Sequence, residues 1–421
     1  MAAVLLVLLT GLAAGCRGDE GAKPVAASSC GRVLYEGEGK PDVVVVSEFP
    51  FSGAAAEYTN TRLMGDAIEH VFRQRGFRAG DHRVGYQSCN DTVGAEDFNE
   101  SLCRRNAHAY AATEDVVGMI GPVNSGCAVQ QIPILSRKAA GPLAIVSPAT
   151  TWAGLTRNVP DERSGDALYP DGLRNYARVV PHDNVQGSAA AHLAKQLGAR
   201  RVAVLEQRHV ADSYARGLYV PFVEAAEGLG LQVSRFAWFR RGSYARLARE
   251  VAAARPDAVF LAGLTQGNAK RLVEDLRREL GWTTPLIGPD SFANAGVAAQ
   301  LGRAGEGLYA TEAGIPPGRL PAAGKRFLRA FGRPSVEVEQ SYAVEAAQAT
   351  EVLLDAIGRS DGTRASVVEE LFATKVENGI LGSFTFDRFG DLDPASVGVY
   401  RIEKGELVLY SVASTPARIG S

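Results

Sequence analysis

The chain has 421 residues, with 45 Lys and Arg against 47 Asp and Glu, six histidines and a formal net charge of −2 at pH 7. That length supports two or three domains with ample buried core, and a 46% share of hydrophobic residues argues against extensive disorder. A charge balance this close to neutral argues against nucleic acid as a main partner.

The first residues run Met1-Ala-Ala-Val-Leu-Leu-Val-Leu-Leu-Thr-Gly-Leu-Ala-Ala-Gly15-Cys16. An apolar run that ends in small residues reads as an export signal over residues 1–15, and it is too short to span a bilayer. Ala13-Ala14-Gly15-Cys16 resembles a bacterial lipoprotein processing site, where the cysteine is lipidated and becomes the new N-terminus. The plainer reading is an ordinary secretory signal followed by an incidental cysteine. No Lys or Arg precedes the run. A lipid anchor on Cys16 implies an exported chain, held at the outer face of the cytoplasmic membrane or in the periplasm. Residues 16–30, rich in Gly, Lys, Pro, Ala and Ser without periodicity, read as a flexible tether. No second run of eighteen apolar residues follows, so no transmembrane helix is expected.

Beyond the tether, strands and helices alternate. Val43–Val46 is a β-branched run expected of a strand buried on both faces. Thr59 to Arg75 carries Leu63, Ala67, Ile68, Val71 and Phe72 on one helical stripe. Strands are expected at Val84–Gln87, Val116–Ile120 and Leu143–Ser147, and helices at Asn99–Ala112 and from about Ser125. Pro133 should kink that last helix or delay its start. Asn158 to Arg174 is a long irregular loop.

A second alternating set follows Pro181-His-Asp-Asn184. Its strands are Val202–Leu205, Leu231–Trp238, Ala258–Leu261, Pro285–Ile287 and Leu308–Thr311. Its helices are Tyr214–Leu229, Ser243–Ala254 and Asn268–Leu280. Helices at Lys325–Phe331 and Val336–Ile357, a strand at Gly382–Asp387 and a hairpin of Val397–Arg401 with Leu407–Ser411 complete the chain. Two such sets define an α/β protein with two parallel sheets, each covered by helices on both faces.

Beyond Cys16 there are four cysteines, Cys30, Cys89, Cys103 and Cys127. An even count in an exported chain favours two disulfides, and three pairings are open. Metal binding is the competing reading, but there is no CxxC and no HxxxH, and no metal is expected.

Six segments, in order, are similar to the branched-chain amino-acid-binding family of periplasmic solute receptors. They are Phe51-Ser-Gly-Ala-Ala-Ala-Glu-Tyr58, Ile120-Gly-Pro-Val-Asn-Ser-Gly126, Val146-Ser-Pro-Ala-Thr-Thr151, Tyr214-Ala-Arg-Gly-Leu218, Leu286-Ile-Gly-Pro-Asp290 and Phe384-Thr-Phe-Asp-Arg-Phe-Gly-Asp391. The resemblance runs from about Asp42 to Tyr410. It implies a type I periplasmic binding protein: two doubly wound, Rossmann-like lobes joined by three crossovers near Pro181, Glu312 and Ser383. The N-lobe would be 31–181 plus 313–382 and the C-lobe 182–312 plus 383–421, with a ligand cleft between them. It also implies a disulfide between Cys89 and Cys127, leaving Cys30 with Cys103; Cys89 with Cys103 and Cys30 with Cys127 is the alternative.

An α-amino acid presents a carboxylate and an ammonium, so its receptor needs donors for one and a carboxylate for the other. Ser125 opens a helix after a strand, where backbone N–H groups, a hydroxyl and the helix dipole favour an anion. The resemblance makes it a contact for the ligand carboxylate, and a simple helix cap is the plain alternative. Ala149 and Thr151 match positions that offer a backbone group and a hydroxyl to the same ligand group, against a Ser/Thr turn after Pro148. Asp290 matches an acidic partner for the ammonium, although Asp also favours a helix cap. The family often has Glu there, one methylene longer. Tyr58 and Tyr214 match aromatic residues lining the cleft. Leu264 stands where the family commonly places an aromatic residue, so the side-chain pocket should differ from a plain leucine receptor.

No GxSxG elbow, HExxH or Walker-type loop is present, and Gly305-Glu-Gly307 lacks a third glycine in register, so neither catalysis nor a cofactor is expected. The expected partners are a small solute, an amino acid first, and an ABC permease in the membrane, with the chain itself a monomer. The alternative is a ligand-sensing receptor of the same fold that signals to a partner without transport. A sensor would usually carry its own transmembrane segment or signalling domain.

Overall fold

Residues 21–51, 61–94, 98–160, 162–208, 213–239, 243–265, 268–333 and 342–414 are described in a computed structural model. Cys16, the export signal and Tyr58 lie outside them. The valine run forms β1 (Val43–Phe49), and its alternation explains its composition. Val43 and Val45 enter one apolar core, while Val44 and Val46 enter the core on the opposite face. The chain continues through α1 (Thr61–Gln74), β2 (Arg78–Ala79), β3 (His82–Asn90), α2 (Glu100–Ala112), β4 (Val116–Ile120), α3 (Ser125–Leu135), β5 (Ala144–Ser147) and β6 (Tyr176–Arg178). These strands make a six-stranded sheet in the order β2-β3-β1-β4-β5-β6, parallel except for β2.

The second sheet repeats the plan. It follows α4 (Asp183–Gln196) with β7 (Arg201–Gln207), α5 (Ser213–Gly228), β8 (Gln232–Trp238), α6 (Ala245–Ala253), β9 (Ala258–Ala262), α7 (Ala269–Leu280), β10 (Leu286–Gly288), α8 (Ala295–Leu301) and β11 (Tyr309–Ala313). Val202 and Val204 of β7 face one core and Ala203 and Leu205 the other. The chain then returns to the first lobe with α9 (Ala322–Phe331), α10 (Ala343–Arg359) and α11 (Arg364–Phe372). A small three-stranded sheet follows, made of β12 (Lys375–Gly379), β13 (Gly382–Phe386) and β14 (Leu392–Asp393). Finally β15 (Ser396–Glu403) and β16 (Glu406–Ser414) add antiparallel to the β11 edge of the second sheet, which runs β16-β15-β11-β10-β9-β7-β8.

The structure corrects several expectations. Phe384, Phe386 and Leu392 pack into the first lobe's core, whereas Ala395 packs with Val185 and Val397 of the second. The third crossover therefore falls between Leu392 and Ala395, later than Ser383. Residues 21–30 are not a free tether. The Gln87 side chain brackets Val25, accepting from its N–H at 2.8 Å and donating to its carbonyl at 3.1 Å, and Val25 is buried. The helix α3 neither starts late nor stops at Pro133, which lies inside it near its C-terminal end, so the one intrahelical bond its N–H would have made is lost and the helix ends two residues later. Helices α4 and α11 and strand β6 carry no strong sequence periodicity and were not expected.

The disulfides take the third pairing, Cys30–Cys89 and Cys103–Cys127. The reason is local. Cys30 and Leu34 bridge antiparallel to Cys89 and Tyr86, which lays the N-terminal segment beside β3. Cys103 on α2 and Cys127 on α3 meet where those helices pack together. Both pairings considered from the sequence are replaced. Peptide mapping under non-reducing conditions should recover a peptide pair holding Cys30 with Cys89 and another holding Cys103 with Cys127; a Cys89–Cys127 pair would contradict this fold.

Where the lobes join, Arg178 is fully buried. Its Nε donates to Asp391 at 2.8 Å, and the same guanidinium reaches the carbonyls of Thr150 at 3.2 Å and Trp152 at 2.9 Å and the hydroxyl of Thr156 at 2.6 Å. Arg157 also donates to Asp391 at 2.8 Å. These cations outweigh the burial that would raise Asp391 and hold it well below its ordinary 3.8. Asp391→Asn should cost about 3–5 kcal/mol in chemical denaturation, because it leaves the Arg178 charge buried and unpaired. Asp391 is depressed in the fold, so its contribution is complete above pH 3.8 and lost on acidification below that; the variant should lack this part of the acid limb.

Candidate functional site

In both sheets the parallel strand order reverses beside the first strand, β1 with β3 and β4 on either side and β7 with β8 and β9. Loops after the carboxyl ends of such strands diverge and leave a crevice. Ser125 lies after β4, Ala149 and Thr151 after β5, Leu264 after β9 and Asp290 after β10.

Asp290 is the best supported polar centre. Tyr214 on α5 donates to its Oδ1, Tyr342 at the start of α10 donates to its Oδ2 at 2.8 Å, and Gln186 on α4 donates to Oδ1 at 3.2 Å. The Asp290 N–H returns a bond to Gln186 Oε1 at 3.1 Å. Burial raises the Asp290 carboxyl, while the two tyrosine hydroxyls and Gln186 oppose that rise. Beside it, Asp183 is fully buried with Oδ2 unpartnered among the described residues. Burial first, then the charge of Asp290, pushes Asp183 up to about 8. Both carboxyls are thus raised by burial, Asp183 further by its neighbour, so the pair resists carrying two charges at once, and Asp290, with three donors, is the better placed of the two to hold one.

The other wall is built around Ser125. Asn124 holds the helix cap position, so Ser125 is the first residue of α3 rather than its cap. Its Oγ accepts the Trp152 N–H at 3.2 Å. Thr151 is buried, and its carbonyl accepts the Asp183 N–H at 2.7 Å. The Ala149 N–H is taken by Ser147 Oγ at 3.3 Å. Ser125, Thr151, Asp183, Asp290 and Tyr214 thus form one connected array. Leu264 stands apart, its N–H and carbonyl held by the Gln207 side chain at 2.8 and 3.2 Å.

Sequence reasoning missed Trp152, Asp183, Gln186 and Tyr342. Asp183 and Gln186 are three residues apart in the first turn of α4, a spacing that puts both on one face, but the segment was read as a divider between sets. Tyr342 sits at φ 52°, at the head of α10, within a stretch whose pattern reads as continuous helix.

The lobes meet across this crevice. Arg216 Nε on α5 lies 2.8 Å from Glu162 Oε1 of the first lobe. Trp152 rests on Gly217, where an added Cβ would lie 2.5 Å from the indole Cδ1 and 3.1 Å from Asp183 Oδ2. The Trp152 Nε1 is buried without a partner among the described residues. Elsewhere Glu48, Asp91, Cys103 and Cys127 bring ligand-type atoms within 4.8 Å of one another, but the two sulfurs are bonded together and so are not thiolate ligands. No helix among the described residues is long and apolar enough to cross a membrane.

A family model described as periplasmic binding protein matches residues 98–405, well over half of the chain. The chain belongs to the periplasmic binding protein family, and its two lobes are of the type I plan. A curated relative from Pseudomonas aeruginosa, a leucine-, isoleucine-, valine-, threonine- and alanine-binding protein, is 23% identical over 242 residues, which span 55% of this chain and 61% of that one. A leucine-binding protein from Thermotoga maritima has a similar structure, with a TM-score of 0.73 at 24% identity over 89% of this chain and 99% of that one. A branched-chain amino-acid transporter substrate-binding protein from Streptococcus pneumoniae, solved with isoleucine, gives 0.73 at 17% identity over 89% and 99%. A solute-binding protein from R. palustris, solved with benzoate, gives 0.70 at 17% identity over 88% and 96%.

Gly217→Ala should prevent the approach of Trp152 and Asp183 while leaving each lobe folded. We expect a larger radius of gyration in solution scattering with saturating solute and about tenfold weaker solute binding, in line with an overpacking cost of about 1–3 kcal/mol. Unchanged scattering and affinity would show that this contact does not govern closure.

Proposed function

We propose that this chain is an extracytoplasmic solute receptor that captures an α-amino acid by closure of its lobes and delivers it to an ABC importer, tethered to the membrane through lipidated Cys16. The observation that carries the ligand class is the Asp290 centre, a buried carboxyl that accepts from Tyr214, Tyr342 and Gln186, together with the N-terminus of α3 in the first lobe. The first suits an ammonium and the second a carboxylate, with Ser125, Ala149 and Thr151 between them. Tyr58 belongs to the same proposed frame. Leu264, outside that array, belongs to the proposed frame only as the neighbour of Thr265, whose hydroxyl donates to the Ser291 carbonyl at 3.2 Å, beside Asp290 in the chain.

Closure follows from where these groups sit. Asp290 and Tyr214 belong to the second lobe and Ser125 and Thr151 to the first, so a ligand with both charges is bound in full only when the lobes meet. Its differential affinity for that arrangement shifts the equilibrium toward it.

A thermal-shift screen of the chain from Gly21 against amino acids, small amides and aromatic acids, with calorimetry on each hit, tests the proposal. An α-amino acid at 100 times its Kd should stabilise the fold by about 2.7 kcal/mol. Asp290→Asn should weaken that hit by tenfold or more, since it removes a charged partner worth about 1.5–3 kcal/mol. A response confined to acids without an amino group, undiminished in Asp290→Asn, would overturn the amino-acid assignment.

A further inference from the structure

The three crossovers line a second cavity, on the hinge. Its volume is 310 Å³, at the lower end of the range of about 300–1,000 Å³ typical of small-molecule pockets. Each crossover supplies part of the wall: Val179 and Pro181 from the first, Gly314 and Ile315 from the second, Leu392 and Pro394 from the third. Leu381 and Phe384, both buried, complete a lining that is mainly apolar.

One cation lines this cavity. Arg319 is exposed, on the short turn Pro317–Arg319, and its guanidinium has no ion-pair partner among the described residues. Most other arginines near the lobe junction are committed: Arg178 and Arg157 to Asp391, and Arg216 to Glu162. An apolar chamber with a single uncommitted guanidinium matches a ligand with an apolar body and one carboxylate.

We propose that this hinge cavity is a second binding site, for a small amphiphilic monocarboxylate whose apolar part enters the chamber and whose carboxylate pairs with Arg319. Such an occupant touches all three segments that must reorient when the lobes move. It therefore favours whichever lobe arrangement preserves the cavity, and by linkage it changes the affinity of the cleft for its own solute. The site shares no residue with the cleft array and stands whether or not the cleft takes an amino acid.

Octanoate is the probe, titrated by calorimetry into the chain from Gly21 and into three variants whose folding is checked by circular dichroism. Arg319→Gln removes the cation from an exposed position, Ile315→Trp fills the chamber, and Asp290→Asn alters the cleft only. We expect saturable octanoate binding to the unaltered chain, weakened about tenfold or more by Arg319→Gln and by Ile315→Trp and retained in Asp290→Asn, with 1-octanol binding at least tenfold more weakly than octanoate. No binding at millimolar octanoate would overturn the proposal. So would binding that survives both hinge variants, or that is lost only in Asp290→Asn, which would place octanoate in the cleft.

Discussion

The buried guanidinium of Arg178 is the constraint on which the arrangement of the two lobes depends. It ends β6, the last strand of the first sheet, immediately before the chain crosses to α4. From there it holds the third crossover through Asp391 and the loop after β5 through the carbonyls of Thr150 and Trp152. A charge at full burial is tolerable only when its partners are fixed, so these three segments have little freedom to shift independently. The turn before Asp391 fits closely as well. Gly390 lies at φ +93°, its carbonyl accepts the Arg178 N–H at 3.0 Å, and any side chain there would strike the Tyr176 carbonyl. The loop that carries Ala149, Thr151 and Trp152 is thereby anchored to the same point at which the chain crosses between the lobes.

The crevice has two differently built walls. On one, Ser125 and Trp152 are tied to each other, and Thr151 is tied to Asp183 at the first crossover. On the other, Asp290 collects donors from α4, α5 and the head of α10. Tyr342 enters from a helix that packs with the first lobe, so its bond to Asp290 spans the two. Burial, and then the neighbouring Asp290, raise Asp183, so the two carboxyls together disfavour a double negative charge.

The disulfides secure the side of the first lobe that faces away from α10. Cys30–Cys89 binds the N-terminal segment to β3, and Cys103–Cys127 joins α2 to α3, the helix whose first residue is Ser125. Both cross-links restrict the unfolded chain, and the second also limits how far the head of α3 can move relative to the sheet.

The alternation of strands and helices was legible in the sequence because both parallel sheets are buried on two faces. Val43–Val46, Val202–Leu205 and Ala258–Leu261 are continuous apolar runs, and the helices between them carry a clear stripe. The resemblance of the motifs after those strands to the family pattern is what singled out Ser125, Thr151, Tyr214 and Asp290, and the fold joins these four in one array. Elements with weak periodicity, such as the alanine-rich α4, were not legible: ten of its fourteen residues are buried, small and polar ones among them, so no broad polar face marks it. The disulfide pairing, the partners of Asp290 and the hinge cavity were decided only in three dimensions. Each depends on residues far apart in the chain, such as Cys30 with Cys89, Tyr342 with Asp290, or Val179 with Pro394, and local sequence carries no record of which distant backbone will arrive beside it.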